Sequence, residues 1–148
     1  MDLKDYIESI PGFPKEGIIF RDVTPILQNA KAMRYCVDQL NAFVKEVGAD
    51  IIVAPEARGF LFGVPVALES GIGFIPVRKP GKLPRETVNE SYDLEYGQDE
   101  LCVHADAILP GQKVVIVDDL LATGGTVEAI IKMVERMQAS VTGVAFVI

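Results

Sequence analysis

The sequence predicts an α/β protein with a parallel sheet flanked by helices. Three observations predict it. Short apolar runs alternate with segments of helical periodicity. The runs are near-continuously apolar instead of alternating with polar residues, as in strands covered on both faces. Gly and Pro punctuate the junctions. At 148 residues the chain reads as a single domain, able to bury roughly two thirds of the surface that its unfolded form exposes.

Taken in order, Lys31–Val47 is a helix: Met33, Val37, Leu40, Phe43, Val44 and Val47 recur at helical spacing, and Gly48 stops it. "DIIVAPEARG" (50–59) is a short apolar strand running into a Pro/Gly turn. Phe60–Glu69 reads as a helix and "GFIPV" (73–77) as the next strand. Residues 78–100 are polar, rich in Pro and Gly, and long for a connection. Such a length marks a functional lid or an excursion with its own hairpin.

After the turn signal "LPGQK" come the strand Val114–Val117, a loop, and a helix with Val127, Ile130, Ile131, Val134 and Met137 on one face. "VTGVAFVI" is the last strand. In parallel sheets of this kind ligands sit at the carboxyl ends of the strands. The loops 55–59 and 118–126 both fall there.

Composition narrows the function. A net charge of −7 argues against general nucleic-acid or membrane-surface binding, which needs a basic field. No stretch approaches the ~18 unbroken apolar residues of a membrane span, and "MDLKDYIESI" lacks the basic start and apolar core of a signal peptide. A soluble cytoplasmic protein is expected. Cys36 and Cys102 lie in apolar segments without metal-ligand spacing, and read as reduced core residues.

The most informative stretch is "VVIVDDLLATGGT" (114–126). Ala122, Thr123, Gly124, Gly125 and Thr126 offer a row of backbone N–H groups and two hydroxyls at a helix N-terminus, which is a phosphate cradle. It is not a P-loop, because the required lysine is missing, and it is not a dinucleotide fingerprint, because GxGxxG is absent. Asp118 and Asp119 do not suit a phosphate, but they accept hydrogen bonds from vicinal hydroxyls and from metal-bound water. Phosphate on one side and a diol on the other describe a ribose 5-phosphate. The plainer alternative is a helix cap with two solvated carboxylates.

This stretch resembles the phosphoribosyl-pyrophosphate signature of the type I phosphoribosyltransferases. Four further blocks, in order, resemble the branch of that family that takes adenine: "PGFPKEGIIFRD" (11–22), "EARGFLFG" (56–63), "RKPGKLP" (78–84) and "SYDLEYG" (91–97). The resemblance implies a type I phosphoribosyltransferase-like fold with a flexible hood over 78–100 and a purine-binding N-terminal segment over 1–29. It implies Mg2+-dependent transfer of the 5-phosphoribosyl group from phosphoribosyl pyrophosphate to adenine, giving AMP and pyrophosphate. A homodimer is expected too. Two alternatives stand beside it: a 6-oxopurine transferase, and a non-catalytic phosphoribosyl-pyrophosphate sensor on the same fold.

Carried over residue by residue, the resemblance assigns Asp118 and Asp119 to the ribose hydroxyls and, through water, to Mg2+ that the substrate itself holds. Arg58 takes the pyrophosphate, for which a guanidinium is well suited; otherwise it is a surface arginine paired with Glu56. The Glu56–Ala57 bond is expected to be a non-proline cis peptide. Lys82 reaches the pyrophosphate from the hood, and Arg78 or Lys79 reaches a partner subunit's site, whereas Arg85 is an ordinary solvated residue.

Glu95 assists loss of a proton from the incoming base, and Tyr96 covers the ribose against water. Phe20 stacks on the purine while backbone groups of Ile19 and Arg21 read its edge, although "IIFRD" is apolar enough to be core. His104 matches no motif and reads as a surface strand residue. Chains of the family continue past the last strand, so the C-terminal end at Ile148 is expected to be a truncation.

Overall fold

The computed structural model describes residues 1–94, 96–120 and 124–148. A short 3-10 helix (Leu3–Tyr6) precedes an antiparallel pair, β1 (Glu8–Pro11) and β2 (Ile19–Asp22), registered Ile10 to Phe20. Helix α1 (Thr24–Gln28) follows, then α2 (Ala30–Val47), whose first turn is capped where the Asn29 side chain accepts from the Ala32 N–H at 3.0 Å. Strand β3 (Ile51–Pro55) leads to α3 (Arg58–Ser70) and β4 (Gly73–Val77). An antiparallel hairpin, β5 (Thr87–Asp93) and β6 (Gln98–His104), comes next. The chain closes with β7 (Lys113–Asp118), α4 (Gly125–Arg136) and β8 (Ser140–Phe146).

The four-stranded sheet runs β4-β3-β7-β8, and all its pairings are parallel. Alternation along β7 sends its side chains to opposite faces. Val115 and Val117 pack with Ile52, Phe62, Val66 and residues of α1 and α2. Val114 and Ile116 pack with Val53, Met133, Val134 and the hairpin residues Leu101 and Val103. Both faces are therefore covered, which is why these strands read as unbroken apolar runs.

The strand order places the site. The crossover from β3 through α3 goes outward to β4, and that from β7 through α4 goes the other way, to β8. Between the ends of β3 and β7 the connections part, leaving the crevice in which open α/β sheets bind ligands.

Helix α3 can lie close against this crevice because it carries glycine at 59 and 63. A Cβ on Gly63 would stand 2.7 Å from Phe74 Cε2, and one on Gly59 would stand 3.1 Å from Asp118 Oδ1.

The 78–100 excursion contains its own hairpin, whose second strand β6 runs on past it to His104 and is buried at Leu101, Cys102 and Val103. The "IIFRD" block is not core. Ile18 is 40% exposed and Ile19 55%, because β2 pairs only with β1 among the described residues and no sheet or helix face covers the pair. Cys36 and Cys102 are free and buried, as expected. His104 ends β6 half-buried, its ring Nδ1 3.1 Å from an Arg85 guanidinium nitrogen.

Candidate active site

The last residue of β7, Asp118, and the residue after it, Asp119, stand at the carboxyl end of the strand inside the crevice. Asp119 is only 4% exposed. Its backbone N–H donates to Asp118 Oδ1 at 2.8 Å, so the first carboxylate folds back on the turn. Burial, and then the hydrogen-bonded Asp119 carboxyl, push the Asp118 carboxyl up to about 7, while Arg58 pulls the other way.

Arg58 opens α3 just beyond β3, and its Nε lies 2.9 Å from Asp119 Oδ2. That oxygen is buried and ion-paired but accepts no hydrogen bond among the described residues. The contact is thus close in distance but not aligned, and it leaves an acceptor for something else. The Arg58 guanidinium carbon also stands 5.1 Å from the centroid of the Phe20 ring, which meets Phe13 edge-on at 5.2 Å.

Glu56 does not pair with Arg58. It accepts from the Lys79 backbone N–H at 2.8 Å and from Arg78 Nε at 3.1 Å. The Lys79 N–H, ahead of Arg78 in effect, holds the Glu56 carboxyl below its ordinary value despite some burial. The Glu56–Ala57 peptide is cis, as the family resemblance implied.

These residues enclose a cavity of about 240 Å3 lined by Arg58, Lys79, Tyr92, Asp118, Asp119 and Thr126, among others. Gly124, in the left-handed conformation, is the N-cap of α4 and has no side chain to cap it. A helix N-terminus beside two carboxylates and a guanidinium can hold a sugar phosphate: amides for the phosphate, acids for hydroxyls, cations for a second anionic group.

Not every expected residue is brought here. Tyr96 lies beyond the end of β5, 85% exposed, and is absent from the cavity lining. Lys82 is exposed in the segment before the hairpin, and Arg85 pairs outward with Asp106. Ile19, Phe20 and Arg21 lie together on β2, with Arg21 donating to the Ser9 hydroxyl. Glu95, Ala122 and Thr123 lie outside the described residues. Sequence reading missed Tyr92 and Leu101, which line the cavity from the hairpin. The only signal available was the strand alternation around "SYDLEYG".

The phosphoribosyl transferase domain family matches residues 24–148. The chain is similar to the adenine phosphoribosyltransferase of Thermoanaerobacter pseudethanolicus, with 55% identity and a TM-score of 0.94 over 97% of this chain and 84% of that one. The chain belongs to the adenine phosphoribosyltransferase family. The enzyme of Rhodothermus marinus is 46% identical, with a TM-score of 0.91 over 97% and 82% of the two chains. That of Saccharomyces cerevisiae, solved with adenine and an imino-altritol bisphosphate, is 42% identical, with a TM-score of 0.94 over 98% and 85%. The domain family begins at Thr24 and so covers the sugar-phosphate side. The β1–β2 pair with Phe20 lies before it. The adenine phosphoribosyltransferases cover nearly all of this chain, so the likeness to them takes in that pair as well.

Proposed function

We propose that the chain transfers the 5-phosphoribosyl group from phosphoribosyl pyrophosphate to adenine, releasing AMP and pyrophosphate. The observation that carries the reading is the placement of Arg58. On one side it pairs with Asp119 and on the other it faces the Phe20 ring, so a leaving-group site and an aromatic face adjoin across one guanidinium. A base on that face and an anomeric carbon above the acid pair would be neighbours. Such alignment is the larger part of catalysis when the sugar passes through an oxocarbenium-like state.

In this reading Ala122–Thr126 cradle the 5-phosphate and Asp118 and Asp119 accept from the ribose hydroxyls. Arg58, Lys79 and Lys82 neutralise the departing pyrophosphate. Phe20 stacks on the purine while backbone groups of Ile19 and Arg21 meet its edge. Glu95 takes up the proton that the base loses on attack, and Tyr96 and the hood cover the ribose against water.

The acid pair suits Mg2+, since both carboxylates are hard oxygen donors and, among the described residues, Asp119 Oδ2 accepts no hydrogen bond. Among the described residues no group of three or more His, Cys, Asp or Glu converges, so the substrate's own oxygens would complete the shell, with Asp118 and Asp119 reaching it through water. When bound, the ion supplies positive charge to the pyrophosphate.

We also assign a homodimer, for which Leu61, Val64 and Leu68, exposed along α3, offer an apolar face. A cytoplasmic setting fits two free cysteines, and among the described residues no helix is long and apolar enough to cross a membrane. Assaying adenine, hypoxanthine, guanine and xanthine in turn with phosphoribosyl pyrophosphate tests the reading. Turnover of adenine alone is expected, and turnover of a 6-oxopurine in its place would overturn it.

A further inference from the structure

The cavity holds two cations, Arg58 and Lys79, and each already faces a carboxylate. Arg58 belongs to Asp119. Lys79 is held in a different way, from three directions at once. Its backbone N–H is fixed by Glu56 at 2.8 Å. Its Nζ donates to the Asp99 carboxylate and lies 3.0 Å from the Tyr92 hydroxyl. The same ammonium stands 5.5 Å from the centroid of the Tyr92 ring.

Tyr92 and Asp99 face each other across the β5–β6 register, so the hairpin presents both as one unit. Burial works against the Lys79 charge, but Asp99 and then Tyr92 outweigh it and raise its pKa; Lys79 in turn holds the Asp99 carboxyl down. Both charges are therefore present together, with Lys79 37% and Asp99 32% exposed.

We propose that Asp99 sets the affinity for the leaving group by acting as a counter-ion that competes with pyrophosphate for Lys79. The inference rests on the reading proposed above, in which the leaving group lies against Arg58. A pyrophosphate there brings several negative charges into a cavity whose second cation is already shared with Asp99. The carboxylate repels the incoming anion and keeps part of the ammonium's hydrogen bonding for itself. The complex is weakened before the reaction, and the product pyrophosphate leaves more readily after it.

Asp99→Asn is the direct test, because Asn has the same shape and can keep its one carbonyl oxygen on the Glu100 N–H, which Asp99 Oδ1 accepts at 2.8 Å, while removing the charge and the acceptor that Oδ2 offers to Lys79. Calorimetric titration with inorganic pyrophosphate in the presence of Mg2+ is expected to show about fivefold tighter binding to Asp99→Asn than to the wild type, the order expected for one charge removed near a partly solvated polyanion site. AMP, which lacks the pyrophosphate, is expected to bind both proteins equally. In a Lys79→Gln background the gain from Asp99→Asn should largely vanish, since it acts through that ammonium. Asp99→Ser removes the same charge and must move pyrophosphate affinity in the same direction, which guards against a misfolded Asn variant.

A merely structural role for Asp99 predicts the opposite, weaker binding of both ligands. Equal or weaker pyrophosphate binding in the two variants, with AMP binding intact, overturns the proposal and leaves the proposed function standing. A wild type that binds neither AMP nor pyrophosphate overturns both.

Discussion

Arg58 Nε and Asp119 Oδ2 stand 2.9 Å apart, joining the first residue of α3 to the residue after β7 across the point where the sheet's connections part. The carboxylate is buried and the guanidinium is 39% exposed. Only the acid depends strongly on the pair: alone, Arg58 can turn to water, whereas Asp119 would be left as a buried charge. An arriving anion can therefore share the guanidinium without unmaking the turn.

Replacing the acids by amides keeps the shape and removes the charge. Asp118→Asn and Asp119→Asn are expected to raise the KM for phosphoribosyl pyrophosphate by at least about tenfold, the equivalent of ~1.4 kcal/mol, and to leave purine choice unchanged. Steady-state kinetics with each substrate varied in turn measures this. A loss confined to adenine would put the acid pair on the wrong substrate.

Phe20→Ala removes the aromatic face that Arg58 approaches at 5.1 Å. Stacking of a base on such a ring contributes ~1–3 kcal/mol. The apparent KM for adenine should rise about tenfold, while that for the sugar substrate stays within about twofold, because the cradle is built from the far end of the chain. An unchanged KM for adenine would mean that the purine binds elsewhere.

How much of this was legible in the sequence depends on the range of the physics involved. The strands of the parallel sheet were, because full burial leaves an unbroken apolar run, as in Val114–Val117. The position of the acid pair at the end of β7 and the helix start after it were, because that signal is local: an apolar run, two carboxylates, a glycine pair and then helical spacing.

The partners were not. The local alternative for Arg58 was its neighbour Glu56, but the fold gives it Asp119, 61 positions on, by placing β3 beside β7. Lys79 and Asp99 meet only because the hairpin turns back on itself. "IIFRD" misled because apolarity alone cannot distinguish a buried strand from a two-stranded ribbon left uncovered.

Gly59 is the residue that lets α3 approach the acid pair. A Cβ there would stand 3.1 Å from both Asp118 Oδ1 and Pro55 Cδ, so one of them must shift by a few tenths of an ångström. Pro55 is fixed in β3, and the carboxylate is the softer neighbour. Gly59→Ala is expected to raise the KM for phosphoribosyl pyrophosphate several-fold with little change for adenine. Combined with Asp118→Asn, its effect should be less than the product of the two single effects, as for residues in contact. Multiplicative effects would show that Gly59 acts by another route.

The Asp118 carboxyl ties stability to pH. Burial first, and then Asp119, lift it from its ordinary 3.8 to about 7. Between those values the folded state keeps a proton that the unfolded chain has lost, so stability falls as pH rises through the window. The contribution is fully present below about 3.8 and gone above about 7. Asp118→Asn cannot titrate and keeps the neutral, buried form throughout. Without ligand, the wild type and Asp118→Asn should melt at similar temperatures near pH 4. By pH 8 the variant should be the more stable by several degrees, since roughly 1 kcal/mol moves the melting temperature of a domain of about this size by a few degrees. The ionised acid is also the better acceptor for ribose hydroxyls, so binding of phosphoribosyl pyrophosphate to the wild type should tighten over the same range in which its free form loses stability. Thermal melts of both proteins across this range, with and without the substrate, measure the two effects together. Parallel melting curves for wild type and variant would mean that Asp118 does not carry the proton.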